Sequence, residues 1–130
     1  MAAPYFTSWN PAAKVAVHTA LRDLLDAATN PAYMTAHDAG DVLLATATLG
    51  DPCGTVDPVT GALNLSIAVQ EDSAPAGGDI AYWTLYDGAG TPYRSIPAEE
   101  GTAPAPGKVV MNTLTVLPGG PAQVLSASVV

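Results

Sequence analysis

The chain has 130 residues, enough for one domain that buries roughly two thirds of its unfolded surface without help from cross-links. Charged types supply 12% of it, about half the usual share of about 25%, and twelve acids against four bases leave a net charge of −8. Lys14, Arg22, Arg94 and Lys108 are scattered, so neither a phosphate-neutralising groove nor a basic patch for an anionic membrane can be assembled; nucleic acid and membrane are not expected partners. Cys53 is the only cysteine, which excludes an internal disulfide, and two histidines with one cysteine do not fill a four-ligand zinc site.

The opening residues, MAAPYFTSWNPAAK, lack a basic start followed by an apolar run, and no window approaches the roughly 20 apolar residues of a membrane-spanning helix. Folding in a reducing cytoplasm is the expectation. Residues 1–9 carry Pro4, Tyr5, Phe6 and Trp9 with no regular period, which fits an arm. Three aromatic side chains on an arm are costly in water, so Tyr5, Phe6 and Trp9 are expected to dock on their own subunit or on a neighbour.

Asn10-Pro11 is a helix entry, an N-cap side chain followed by proline at the first helical position. Val17, Leu21, Leu24, Leu25 and Ala28 follow at helical spacing. They predict an apolar stripe on a helix over residues 10–29, with Lys14, His18, Arg22, Asp23 and Asp26 on the solvated side and Asn30-Pro31 as the stop. From Tyr33 onward the pattern becomes short extended runs. Tyr33–His37 predicts a strand, Asp38-Ala39-Gly40-Asp41 a turn, and Asp41–Leu49 a second strand. Gly50–Gly61 predicts a loop built on Asp-Pro and Gly signals, and Leu63–Val69 alternates as a half-buried strand. Glu71–Gly78 is an acidic loop.

The stretch 79–96, DIAYWTLYDGAGTPYRSI, holds four of the chain's eight aromatic residues: Tyr82, Trp83, Tyr86 and Tyr93. It predicts two strands joined through Asp87-Gly88-Ala89-Gly90, and a core gathered around them. Pro97–Gly107 predicts a flexible loop. Lys108–Leu117 and Ala122–Val130 predict closing strands joined by Pro118-Gly119-Gly120-Pro121. About seven or eight strands behind one helix predict an all-β jelly roll or β-sandwich, in which residues 1–9 are an arm and residues 10–130 a single domain.

Templates for chemistry are absent from the sequence: no nucleophile elbow, HExxH, CxxC, P-loop or dinucleotide fingerprint. The acids lie almost wholly in turns, where they act as turn formers rather than the facing carboxylates of a glycosidase. His37, Asp38 and Asp41 lack the alternating acids around glycine of a calcium loop and read as a surface turn. His18 reads as a solvated helix residue and Cys53 as a bystander thiol in a loop, with no neighbouring base in sequence. Trp83 with Tyr82, Tyr86 and Tyr93 could be packed inside or could form a sugar-stacking platform; exposure separates the two.

Taken together, the N-terminal helix, LLATATLGDP, GALNL, AYWTLYDGAGTPY and VVMNTLTVLPGG resemble small jelly-roll head proteins of tailed bacteriophages, in particular the cement or decoration proteins of the capsid exterior. The resemblance covers about residues 11–130. It implies a protein without catalytic residues or cofactor, made in the bacterial cytoplasm and mounted on the outside of the virion capsid, where it stabilises the shell. The implied partners are the major capsid protein and further copies of itself, as a dimer or trimer. Tyr5, Phe6, Trp9, Val17 and Leu21 are the expected contact residues, and the loops at Gly50–Gly61 and Pro97–Gly107 are expected to be exposed. A tail or fibre component and a carbohydrate-binding β-sandwich module are the alternatives.

Overall fold

The computed structural model describes residues 10–130. A single helix, α1 (Pro11–Asp26), precedes nine strands: β1 (Tyr33–His37), β2 (Leu43–Val56), β3 (Leu63–Val69), β4 (Gly78–Asp79), β5 (Tyr82–Tyr86), β6 (Pro92–Glu100), β7 (Val109–Met111), β8 (Thr115–Val116) and β9 (Val124–Val129). Seven of them close into a barrel in the order β1-β2-β3-β9-β7-β6-β5, while β4 and β8 form a separate two-stranded ribbon. The mostly β architecture with one leading helix is the one the patterning predicts. The wall is mixed, because β6 and β7 run parallel and every other pair antiparallel.

Alternation along the strands sorts the side chains. On β1, Met34 and Ala36 point into the core; on β5, Trp83 and Leu85 do so. The cross-strand register sets Ala45, Ala36, Trp83 and Ile96 in one inward row across β2, β1, β5 and β6. Two alanines flank one side of the indole, so a small barrel accommodates its bulkiest residue where the neighbouring strands contribute least volume. Trp83 is 0% exposed. The intervening residues form an outward row, Thr46, Thr35, Thr84 and Ser95, flanked by Tyr33 against Tyr86 on one side and His37 against Tyr82 on the other.

The central hairpin forms as predicted. Asp87 N–H donates to the Thr91 carbonyl (3.0 Å), Gly90 N–H donates to the Asp87 carbonyl (3.0 Å), and Gly90 takes φ +90°, which a side chain would resist. β1 and β3 have the predicted bounds. The other departures are extensions and breaks. β2 continues to Val56 through most of the segment expected to be a loop, and β6 continues to Glu100 through the start of another. The run Lys108–Leu117 is interrupted at Asn112–Leu114, giving β7 and β8. Pairing accounts for the extensions: Gly54–Val56 lie against Leu63–Leu65 of β3, and Ala98–Glu100 lie against β7, so backbone hydrogen bonding overrides local Gly and Pro signals.

Between Leu49↔Ile67 and Gly54↔Leu65 the register shifts, β2 inserting Gly50–Cys53 where β3 spans only Ser66. This bulge carries Cys53 into the core rather than leaving it in an open loop.

The indole N–H of Trp83 is buried without a hydrogen-bond partner among the described residues. An orphaned buried donor costs about 1–3 kcal/mol. Trp83→Ala should therefore destabilise the barrel by roughly 3–5 kcal/mol, as expected for loss of a packed aromatic. Trp83→Phe should cost no more than about 1 kcal/mol, because the orphaned donor leaves with the lost volume. Urea unfolding of the three proteins checks both, and a Phe variant as weak as the Ala variant would refute the offset.

Candidate functional site

Three places hold the residues from which a function could be built: the outward face of α1, the outward face of the β1–β5–β6 sheet, and the turns that carry the acids.

α1 is capped as predicted, Asn10 Oδ1 accepting from Ala13 N–H at 2.8 Å. It packs on β2 and β3 with a face rotated from the predicted stripe. Leu25 and His18 are buried and Leu21 is half-buried against the core, whereas Val17 is 42% and Leu24 51% exposed. His18 is thus corrected from a solvated residue to a buried one, and polar fastening is the reason for the rotation. His18 Nδ1–H donates to the Gly61 carbonyl, and Asp26 Oδ1 accepts from Cys53 N–H at 3.0 Å. Each backbone group gains a partner it would otherwise lose on burial, which outweighs burying two more aliphatic side chains. At Gly61, φ +78°, a Cβ would run into Lys14 and the Pro11 carbonyl, so the β2–β3 turn and the first turn of α1 are in direct contact.

The outward surface of α1 consequently carries Ala12, Ala16, Val17, Ala20, Leu24 and Ala27. Asp23 is the one exposed charged residue of the helix, and it forms a surface pair with Arg22 at 3.4 Å, worth at most about 1 kcal/mol. Of the expected contact residues, Val17 stands free on this face and Leu21 is largely committed to the barrel. Tyr5, Phe6 and Trp9 lie outside the described residues.

On the β1–β5–β6 face, Tyr33 and Tyr86 stack with centroids 5.1 Å apart and planes 8° apart, and His37 and Tyr82 stack at 5.2 Å and 19°. Thr84 and Ser95 share a hydrogen bond of 3.1 Å, and Thr35 Oγ1 lies 2.7 Å from His37 Nε2. Trp83 is on the opposite side of this sheet, in the core, so the sugar platform as read from sequence loses its largest member. The tyrosines remain: Tyr82 and Tyr86 are half-buried, and Tyr93 is exposed at the rim.

The acids act as turn formers. Asp38 Oδ1 accepts from Gly40 and Val42 N–H, Asp57 Oδ1 from Val59 and Thr60 N–H, and Asp87 Oδ1 from Ala89 and Thr91 N–H. Asp41 sits at φ +66° and its carboxylate accepts from the Tyr82 hydroxyl at 2.6 Å, which pushes that phenol above its ordinary range. His37, Asp38 and Asp41 therefore meet in one hydrogen-bonded turn. Among the described residues no three His, Cys, Asp or Glu side chains are grouped so as to hold a metal ion. Burial above all, with the Asp26 carboxylate beside it, pushes the Cys53 thiol up to about 12. That is the reverse of an activated nucleophile. Cys53 was legible from sequence as inert, but its burial depends on the β2 bulge, for which no local signal exists.

Two predictions follow from these groups. The Thr91 N–H above all, with the Tyr93 hydroxyl and the Ala89 N–H, holds the Asp87 carboxyl below the usual carboxylate range. A depressed folded value means that the carboxylate stabilises the fold above its unfolded value near 3.9 and ceases to do so as pH falls through the lower folded value. Asp87→Asn should therefore be less stable than the parent at pH 7, with the gap closing below about pH 3 in urea titrations. Cys53 should resist a thiol reagent at pH 8 in native protein and react only at the rate of global unfolding; rapid native labelling would contradict its burial. Comparison with known protein families, curated proteins and solved structures finds no match to this chain.

Proposed function

We propose that this protein is a non-enzymatic structural component of a tailed-phage virion that binds the outer surface of the capsid through the exposed face of α1 and stabilises the shell. The observation that carries this reading is the outward surface of α1, where Val17 and Leu24 stand one heptad apart among alanines. Such a face, low in charge and mounted on a closed wall, matches the depleted-charge centre of a protein–protein contact. A closed barrel leaves few free strand edges and resists deformation, which suits a part that must hold neighbouring shell subunits against internal pressure. Copies repeated by capsid symmetry would turn modest single contacts into a firm attachment. The jelly-roll assignment is part of this proposal; it is supported by the sequence resemblance and by the out-of-order placement of β9 between β3 and β7 in the wall.

A second reading is favoured by a separate observation, the stacked tyrosines and hydroxyl row on the β1–β5–β6 face. On that reading the chain binds carbohydrate with Tyr33, Tyr82, Tyr86 and Tyr93 in place of Trp83. Calorimetric titration with cell-surface glycans of the host, against a Tyr86→Ala control, tests it.

The test of the first reading mixes purified protein with shells assembled from the phage's major capsid protein. Saturable co-sedimentation at fixed stoichiometry is expected. Val17→Asp with Leu24→Asp should lower uptake by tenfold or more while leaving the melting temperature within a few degrees, because exposed substitutions usually shift stability by no more than about 0.5 kcal/mol each. Failure of the parent protein to sediment with shells would overturn the reading.

A further inference from the structure

The barrel wall is incompletely zipped between β3 and β9. These strands pair only at Leu63↔Val129 and Asn64↔Ser128. Further along, the Gln70 carboxamide stands in for a strand, donating to the Val124 carbonyl at 3.0 Å and accepting from Val124 N–H at 2.9 Å, and Glu71 bridges Ala122 beyond it. Between the two fastenings lie five residues of β3, Leu65–Val69, and only three of β9, Leu125–Ala127. The mismatch leaves both strands without a partner on the sides that face each other, although each is paired on its other side with β2 or β7.

A groove of about 820 Å³ opens over this seam at Leu65 and Leu125–Ala127, with Pro104, Pro106 and Val130 among its walls. Leu125 is 52% exposed within it. An apolar channel floored by unpaired strand edges is the arrangement that accepts an extended peptide, backbone to backbone with side chains in the channel.

Chain position identifies the peptide. Lys14, in the first turns of α1, also lines the groove, so the described chain begins at the groove's mouth with Asn10. The residues just before Asn10 include Tyr5, Phe6 and Trp9 and no charged side chain, which matches an uncharged channel. Nine residues reach about 30 Å at full extension, more than the about 17 Å spanned by five strand residues. Tethering at the mouth keeps the segment at high effective concentration. We propose that the β3–β9 groove is the receptor for this chain's own residues 1–9. The inference does not depend on the capsid reading.

Two measurements on the full-length chain test it. Trp83 is buried, so acrylamide quenching of tryptophan fluorescence reports mainly on Trp9. The parent should quench several-fold less than a free peptide of residues 1–9, and Leu125→Glu should raise quenching at least twofold with little change in melting temperature. Quenching of the parent equal to that of the peptide, or indifference to Leu125→Glu, would overturn the proposal. In the second measurement, Thr7→Cys combined with Leu125→Cys should form an intramolecular disulfide under mild oxidation, with Cys53 silent because it is buried. Thr7→Cys with Leu117→Cys, exposed and outside the groove, should not. Equal cross-linking of both pairs, or covalent dimers in place of cross-linked monomers, would refute docking of the chain's own segment.

Discussion

The packing of one indole among alanines organises this barrel. Trp83 needs more room than any other side chain inside the wall, and Ala36 and Ala45 on the adjacent strands provide it at the same level. Because strand side chains alternate with a period of two, that inward row obliges the next residues to face outward. Thr46, Thr35, Thr84 and Ser95 are therefore an external hydroxyl row as a consequence of where the indole sits. The Tyr33–Tyr86 and His37–Tyr82 stacks flank it for the same reason. A one-residue slip would move the indole to the outside and the hydroxyls to the inside, so the register is strongly specified.

The helix obeys a different constraint. An amphipathic segment usually turns its largest aliphatic residues inward, yet here Val17 and Leu24 face out while His18 faces in. Two backbone groups of the barrel, the Gly61 carbonyl and the Cys53 N–H, are met by His18 and Asp26, and these hydrogen bonds set the rotation of α1. The displaced aliphatic side chains become surface. A binding face thus arises from the same event that fastens the helix, and the fold acquires an adhesive patch without opening its core.

Charge has little part in either arrangement. Among the described residues the one ion pair is Arg22–Asp23 on the helix surface, and Asp38, Asp57 and Asp87 are occupied with backbone N–H groups of their own turns. The net negative charge is in large part a by-product of how the turns are made. Hydrogen bonding to the turn amides stabilises these carboxylates more directly than any partner cation would.

Much of the architecture was legible from the residues. Alternation in Tyr33–His37 and Leu63–Val69, the Asn10-Pro11 entry and the Asp87–Gly90 reversal are local signals, and each reappears with its predicted role. The inertness of Cys53 and the turn-forming use of the acids were also legible, because they depend on neighbours in sequence. Tertiary structure alone decided the closure of the wall, the parallel β6–β7 pair, the extension of β2 through Asp51-Pro52, the rotation of α1 and the unzipped seam between β3 and β9. The physical reason is common to all five: each rests on hydrogen bonds or packing between residues far apart along the chain, and a periodicity within one segment carries no information about which distant edge it will meet.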